Sequence, residues 1–147
     1  MISPEDLFWE ILRFLWSCKP KNPHDRMYCM KNIRPIQENV LEGIATGQQI
    51  IIRDDRGEIE HYLSYWKVSD ADIELLQKGI KPDDRTTGNR LYIAEHGNKG
   101  GRKSLTRVIR LLRELAGNDL SGVLWHSCHG GKFYYYANQK GACNVMD

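Results

Sequence analysis

The chain has 147 residues, 41% hydrophobic and 27% charged, with a formal net charge of +2. That length suits one domain with one core spanning residues 1–147, and the composition excludes disordered and fibrous classes. The small net charge favours no polyanion or membrane partner, yet nine of the 21 basic residues fall between Arg90 and Lys140, a stretch whose only acids are Glu95, Glu114 and Asp119.

Ser3, Pro4 and Asp6 read as a helix cap, a first-turn proline and a helix-favouring acid, and Leu7, Phe8, Ile11, Leu12 and Leu15 recur on one face. An amphipathic helix therefore opens the chain. Residues 18–26 carry Pro20 and Pro23, which cannot extend it, so His24 is expected in a loop. Residues 33–46 keep Ile36, Val40, Leu41 and Ile44 near a 3.6 spacing, with Pro35 near the start and Gly47 past the end, which predicts a second helix. The isoleucine-rich residues 48–53 and the aromatic and β-branched residues 58–66 flank Asp54-Asp55-Arg56-Gly57 and read as a β-hairpin.

Ser69 is placed to cap a short acidic helix through Leu76, which Gly79 and Pro82 then stop. Residues 81–89 read as a polar loop and residues 90–95 as a strand. Ser104 is the expected cap of the clearest helix, in which Leu105, Val108, Ile109, Leu112 and Leu115 form an apolar stripe, Arg107, Arg110 and Arg113 lie away from it, and Gly117 and Asn118 end it. Residues 122–127 read as a strand, and residues 133–139 as a short helix or an edge strand. This order predicts an α/β (α+β) fold, a mixed sheet with helices on its faces, with residues 91–125 forming a right-handed βαβ unit.

Cys18, Cys29, Cys128 and Cys143 form no CxxC pair, and the first residues show neither a secretory leader nor a membrane-spanning run. A cytoplasmic protein with free thiols is the expectation. His126, Cys128 and His129, with His96, raise the question of zinc, but no second ligand pair stands at a finger-like spacing, so no metal is assigned.

The most informative stretch is His96-Gly97-Asn98-Lys99-Gly100-Gly101-Arg102-Lys103-Ser104, between a predicted strand and a predicted helix start. Glycines let backbone N–H groups turn toward a ligand, the helix start leaves donors unpaired, and Lys99, Arg102 and Lys103 add charge, so phosphate is the natural guest. The spacing is not GxxxxGK[ST], which argues against a nucleotide triphosphatase. The alternatives are a solvated glycine loop and a nucleic-acid surface along Arg107, Arg110 and Arg113. The acids between Asp54 and Glu60 and the modest total charge weigh against nucleic acid. His24, alone in its loop, is a usable general base near neutrality.

Several stretches, in order, resemble the RTX toxin-activating lysine acyltransferases of the haemolysin-C type, which are variants of the GNAT acetyltransferase fold. They are Phe14-Leu15-Trp16-Ser17 followed by Pro23-His24 and Arg26; Ile33 to Asn39 with Pro35; Arg53-Asp54 in the hairpin; Tyr62-Leu63-Ser64-Tyr65-Trp66; Gly88-Asn89-Arg90 leading into a strand; and His129-Gly130-Gly131-Lys132. The run Phe133-Tyr134-Tyr135-Tyr136 looks like the GNAT region that lines a thioester pocket. The resemblance implies a GNAT-like, mostly antiparallel central sheet flanked by helices. It also implies transfer of an acyl group from acyl carrier protein, or from coenzyme A in the wider family, to a protein lysine.

By the same resemblance His24 matches the catalytic histidine, while the position of the assisting aspartate falls on Ala94. Glu95 stands one residue later, where strand alternation reverses the face, and His96 is a second candidate. The implied phosphopantetheine donor would lie along Gly97, Lys99, Gly100, Gly101, Arg102, Lys103 and Ser104. No tightly bound cofactor is expected, and a homodimer is compatible. The alternative is a GNAT-like adaptor, encoded by a phage or mobile element, that has lost the carboxylate.

Overall fold

The structure is a computed structural model that describes residues 2–18, 32–117, 123–126, 133–136 and 143–145, the last three as strands. His24 lies outside the described residues. The elements are helices α1 (Pro4–Ser17) and α2 (Ile33–Thr46), strands β1 (Gln49–Arg53) and β2 (Ile59–Val68), helix α3 (Asp72–Gln77), strand β3 (Arg90–Asn98), helix α4 (Gly101–Leu115) and strands β4 (Val123–His126), β5 (Phe133–Tyr136) and β6 (Cys143–Val145). The strands hydrogen-bond in chain order from β1 to β6. The β3/β4 pair is parallel, and β1/β2, β4/β5 and β5/β6 are antiparallel. A mixed, mostly antiparallel sheet with helices is thus the observed class.

The predicted helix ends follow from local chemistry. Ser3 Oγ accepts the Asp6 N–H at 3.1 Å and caps α1. Gly47 ends α2 in the left-handed conformation, at φ 73°, which a side chain would disfavour. At the hairpin, Asp54 Oδ1 accepts the N–H groups of Arg56 and Glu58 at 2.9 and 3.0 Å, holding the tight turn by its own carboxylate. Ser69 and Asp72 exchange bonds, Asp72 N–H to Ser69 Oγ at 3.3 Å and Ser69 N–H to Asp72 Oδ2 at 2.9 Å, which closes a turn ahead of α3; the cap position of that helix is Ala71, not the expected Ser69.

Two compact units are distinguished, Met1–Ser64 with Ala94–Val108, and Tyr65–Ile93 with Ile109–Asp147. In the first, Ile11, Phe14, Val40, Ile59 and Tyr62 form a buried cluster, against which Leu7, Leu15 and Ile44 pack. These are the apolar stripes of α1 and α2 pressed on one face of the β1/β2 ladder, each large side chain contributing roughly 1.5–3 kcal/mol by burial. Ile59 and Tyr62 share that face although they stand three residues apart, because the register slips. His61 pairs with Ile52 but Ile59 pairs with Arg53, leaving Glu60 as the extra residue of a β-bulge. His61 then points to the opposite face, where it meets Ser104 of α4.

An ion pair ties α1 to the hairpin. Arg53 Nη1 and Nη2 donate to Glu10 Oε2 and Oε1 at 2.7 and 2.8 Å, and this bond to Arg53 holds the Glu10 carboxyl below its ordinary range. Both side chains keep some exposure, 35% and 21%, so solvent screening limits the pair to roughly 0.5–1 kcal/mol. A lowered carboxyl stabilises above its unfolded pKa and loses that contribution as pH falls. Glu10→Gln is therefore expected to lower stability by that amount at pH 7 and by nothing measurable near pH 3, as urea melts at the two pH values would read.

In the second unit, Val68, Leu76, Leu91, Leu112 and Val123 are buried. Leu91, Tyr92 and Ile93 of β3 run parallel to Val123, Leu124 and Trp125 of β4, with α4 as the connecting helix, as the sequence predicts for a βαβ unit. The region predicted as short helix or edge strand is β5, followed by the unforeseen β6. Trp66 and Tyr92 stack at 5.1 Å, and Lys81 and Arg85 lie over the Trp66 ring. Among the described residues, no helix is long and apolar enough to cross a membrane.

Candidate functional site

The strand predicted for residues 90–95 continues to Asn98, and α4 begins at Gly101 rather than at a Ser104 cap. The predicted glycine loop thus shrinks to Lys99 and Gly100. Gly97 is inside the strand and buried, where an added Cβ would stand 3.0–3.2 Å from Leu15, Phe14 and Cys18 of α1. Ser104 is fully buried in the first turn of α4. Neither can face a phosphate.

The remaining loop donors are also engaged. Lys99 N–H and Gly100 N–H both reach the carbonyl of Glu60, the bulge residue, at 2.8 and 3.0 Å. Gly100 N–H is shared with Asn98 Oδ1 at 2.9 Å. Two donors of the expected backbone cradle are therefore spent within the protein, on the carbonyl of the bulge residue. Gly101, Arg102 and Lys103 stay exposed at the start of α4, as do Lys99 before them and Arg107 and Arg110 beyond. Cationic side chains are what this place presents.

On β3, Glu95 and His96 project to opposite faces by strand alternation. Glu95 turns toward α2, where Asn39 Nδ2 donates to Glu95 Oε1 at 2.9 Å, and burial raises its pKa to about 7 against the opposing effect of that bond. His96 turns toward α4. The two sequence candidates on this strand are therefore not partners in one site.

His96 finds a different partner. Its Nε2 lies 2.7 Å from Nε2 of His61, the rings meeting edge to face with centroids 4.8 Å apart. His61 is fully buried, and its Nδ1 lies 3.2 Å from Ser104 Oγ. Ser104 Oγ is in turn 2.8 Å from Asn98 Oδ1 and 3.1 Å from the Gly101 carbonyl. Burial, and then the charge His96 can carry beside it, hold His61 down to about 4. His96 is an exposed residue that nonetheless meets the buried His61, and partial burial lowers its pKa as well. Both imidazoles are neutral at pH 7, and one of them is reachable from solvent.

His61, Asn98 and Asn39 escape the sequence reading. His61 is visible there only as one residue of a strand, and its partner stands 35 positions away. Cys18 is half-buried at the end of α1, where burial raises its thiol. Cys128 and His129 lie outside the described residues, as does the side chain of His126. Among the described residues, no three His, Cys, Asp or Glu side chains come together to hold a metal ion. Comparison with protein-family models finds no match, and a search of curated proteins finds no significant relative.

Proposed function

We propose that the chain is an N-acyltransferase that moves an acyl group from a phosphopantetheine thioester, carried by acyl carrier protein or coenzyme A, to a protein lysine, with His96 as general base. The observation that carries this reading is the exposed His96 ring held against the buried His61: a neutral imidazole, fixed in direction and open to solvent, is what proton abstraction from an amine requires. The donor class comes from the sequence resemblance. The exposed Lys99, Arg102 and Lys103 support it, since they lie three to seven residues beyond His96 and can meet the donor's phosphates by charge.

In this mechanism His96 takes a proton from the attacking amine, the amine nitrogen bonds to the thioester carbonyl, the carbon–sulfur bond breaks, and the leaving thiolate recovers the proton from His96. His24, the residue that the resemblance favours for the same duty, is tested beside it. The purified chain is incubated with long-chain acyl-coenzyme A or acyl carrier protein and a lysine-bearing acceptor, and acylation is read by intact mass. His96→Gln is expected to slow transfer about 10²- to 10⁴-fold while leaving donor binding in place. Full activity in His96→Gln together with loss in His24→Ala would move the base to His24.

A second reading, a GNAT-like adaptor, is favoured by one observation: the loop N–H groups are already engaged on the Glu60 carbonyl. It predicts neither transfer nor binding with either donor.

A further inference from the structure

We infer that Asn98, Ser104 and His61 form a lock that fixes His96 in a single tautomer, with the proton on Nε2 toward His61 and the lone pair of Nδ1 on the exposed ring. Applied to catalysis this rests on the reading of His96 as base, but the lock itself follows from the order of hydrogen bonds. Asn98 comes first. Its Oδ1 accepts the Gly100 N–H at 2.9 Å and its Nδ2 donates to the Gly101 carbonyl at 3.2 Å, so the amide has one orientation.

Ser104 Oγ lies 2.8 Å from that same Oδ1 and 3.1 Å from the Gly101 carbonyl, and it has one proton. If the hydroxyl gave that proton to His61, it would face both of these acceptor oxygens with nothing between. The proton therefore goes to the nearer of them, Asn98 Oδ1, and the Ser104 oxygen must accept from His61 Nδ1–H at 3.2 Å. A neutral His61 protonated on Nδ1 has a bare Nε2. The 2.7 Å contact between the two Nε2 atoms then requires the proton of His96 to sit on Nε2, which leaves its Nδ1 bare.

Burial completes the lock. His61 and Ser104 are both fully buried, so water cannot substitute for either partner, and a reversed chain would leave Ser104 Oγ against two acceptor oxygens with no proton for either. His61 is thus a positioning residue that decides which nitrogen of His96 meets the substrate. Asn98 and Ser104 are the residues that decide for His61.

The test uses the full chain with ¹⁵N-labelled histidine. Two-bond ¹H–¹⁵N correlation spectra at pH 7.5 distinguish the two neutral tautomers of each ring directly. The expected wild-type result is the Nδ1–H form for His61 and the Nε2–H form for His96, each favoured by about tenfold or more. Ser104→Ala removes the acceptor for His61 Nδ1–H, and both rings should shift toward mixed tautomers. His61→Gln offers an amide oxygen near the lost Nε2 and should keep His96 as Nε2–H, whereas His61→Phe should release it. Should Ser104→Ala fail to fold, the Gln and Phe pair reads the lock alone.

A His96 found as Nδ1–H in the wild type, or tautomers unmoved by both Ser104→Ala and His61→Phe, would overturn the inference. The outcome separates from the proposed activity: correct tautomers with undiminished transfer in His96→Gln would leave the lock standing and remove His96 as base.

Discussion

Gly88→Ala is expected to be the most destabilising single-methyl change in the described residues, lowering stability by about 3–4 kcal/mol, a large part of what a domain of this size has. An alanine Cβ at this position would lie 2.0, 2.1 and 2.4 Å from the carbonyl carbon, the carbonyl oxygen and the Cα of Val68. All three are backbone atoms at the end of β2, so no side-chain rotation relieves the overlap. Val68 is itself fully buried. Gly88 N–H bonds the Lys67 carbonyl at 3.3 Å and Lys67 N–H bonds the Arg85 carbonyl at 2.9 Å, so the 85–88 segment is held against the strand by its own ladder and separation breaks those bonds.

Overpacking in a yielding site costs about 1–3 kcal/mol, and a clash confined to backbone belongs at or above the top of that range. Thermal melting should fall by roughly 10 °C. Gly57→Ala is the control: its Cβ meets nothing within 4 Å but its φ is 82°, so it should cost only the left-handed strain of about 1–2 kcal/mol. Equal losses in the two variants would show that the chain accommodates a methyl at position 88.

The second large effect is a gain. Glu95 binds its proton more tightly folded than unfolded, with its pKa raised from 4.5 to about 7 by burial. Its contribution is therefore fully present below pH 4.5 and is lost as pH rises through 7, a difference of about 3 kcal/mol. Glu95→Gln imitates the protonated form and keeps an oxygen for Asn39. It should match the wild type at pH 4.5 and exceed it by about 2–3 kcal/mol at pH 8.

The imidazoles act with the opposite sign. His61, held down to about 4, and His96, also lowered, stabilise above the unfolded value of 6.5 and lose that as pH falls toward 4. In the wild type the two slopes oppose each other between pH 4.5 and 6.5. In Glu95→Gln only the imidazole slope remains, so stability should climb from pH 4 to 6.5 and then level off. Urea melts at pH 4.5, 6 and 8 measure this. A variant no more stable than wild type at pH 8 would mean that the carboxylate is well supported when ionised.

The elements whose ends depend on nearby residues were legible. Ser3, Gly47 and Asp54 act within four positions, and each boundary they set is readable from the order of residues alone. Gly97 resembles loop chemistry, so the sequence ends this strand at residue 95, three residues short of Asn98. What keeps it in the strand is the end of α1, some eighty positions away, whose Phe14, Leu15 and Cys18 close over a residue without a side chain. Ser104 precedes an apolar run as a cap would, and only the position of Asn98 and His61 reveals it as a buried relay member.

The opposite faces of Glu95 and His96 were legible from strand alternation; the partner of each was not. Hairpin chemistry names a turn, but which residue of β2 falls beside His96 depends on register, and register depends on the slip at Ile52/Arg53. No local rule announces that slip.

That slip has a further consequence for how the basic helix is anchored. The carbonyl of residue 60, the bulge residue, receives Lys99 and Gly100, the two residues that turn the chain into α4. The starting point of that helix is thereby tied to the hairpin as well as to Asn98 beside it. Sequence changes around Asp54 or Glu58 that alter the hairpin's pairing would thus be felt forty positions away, as a displacement of the cationic residues that open α4.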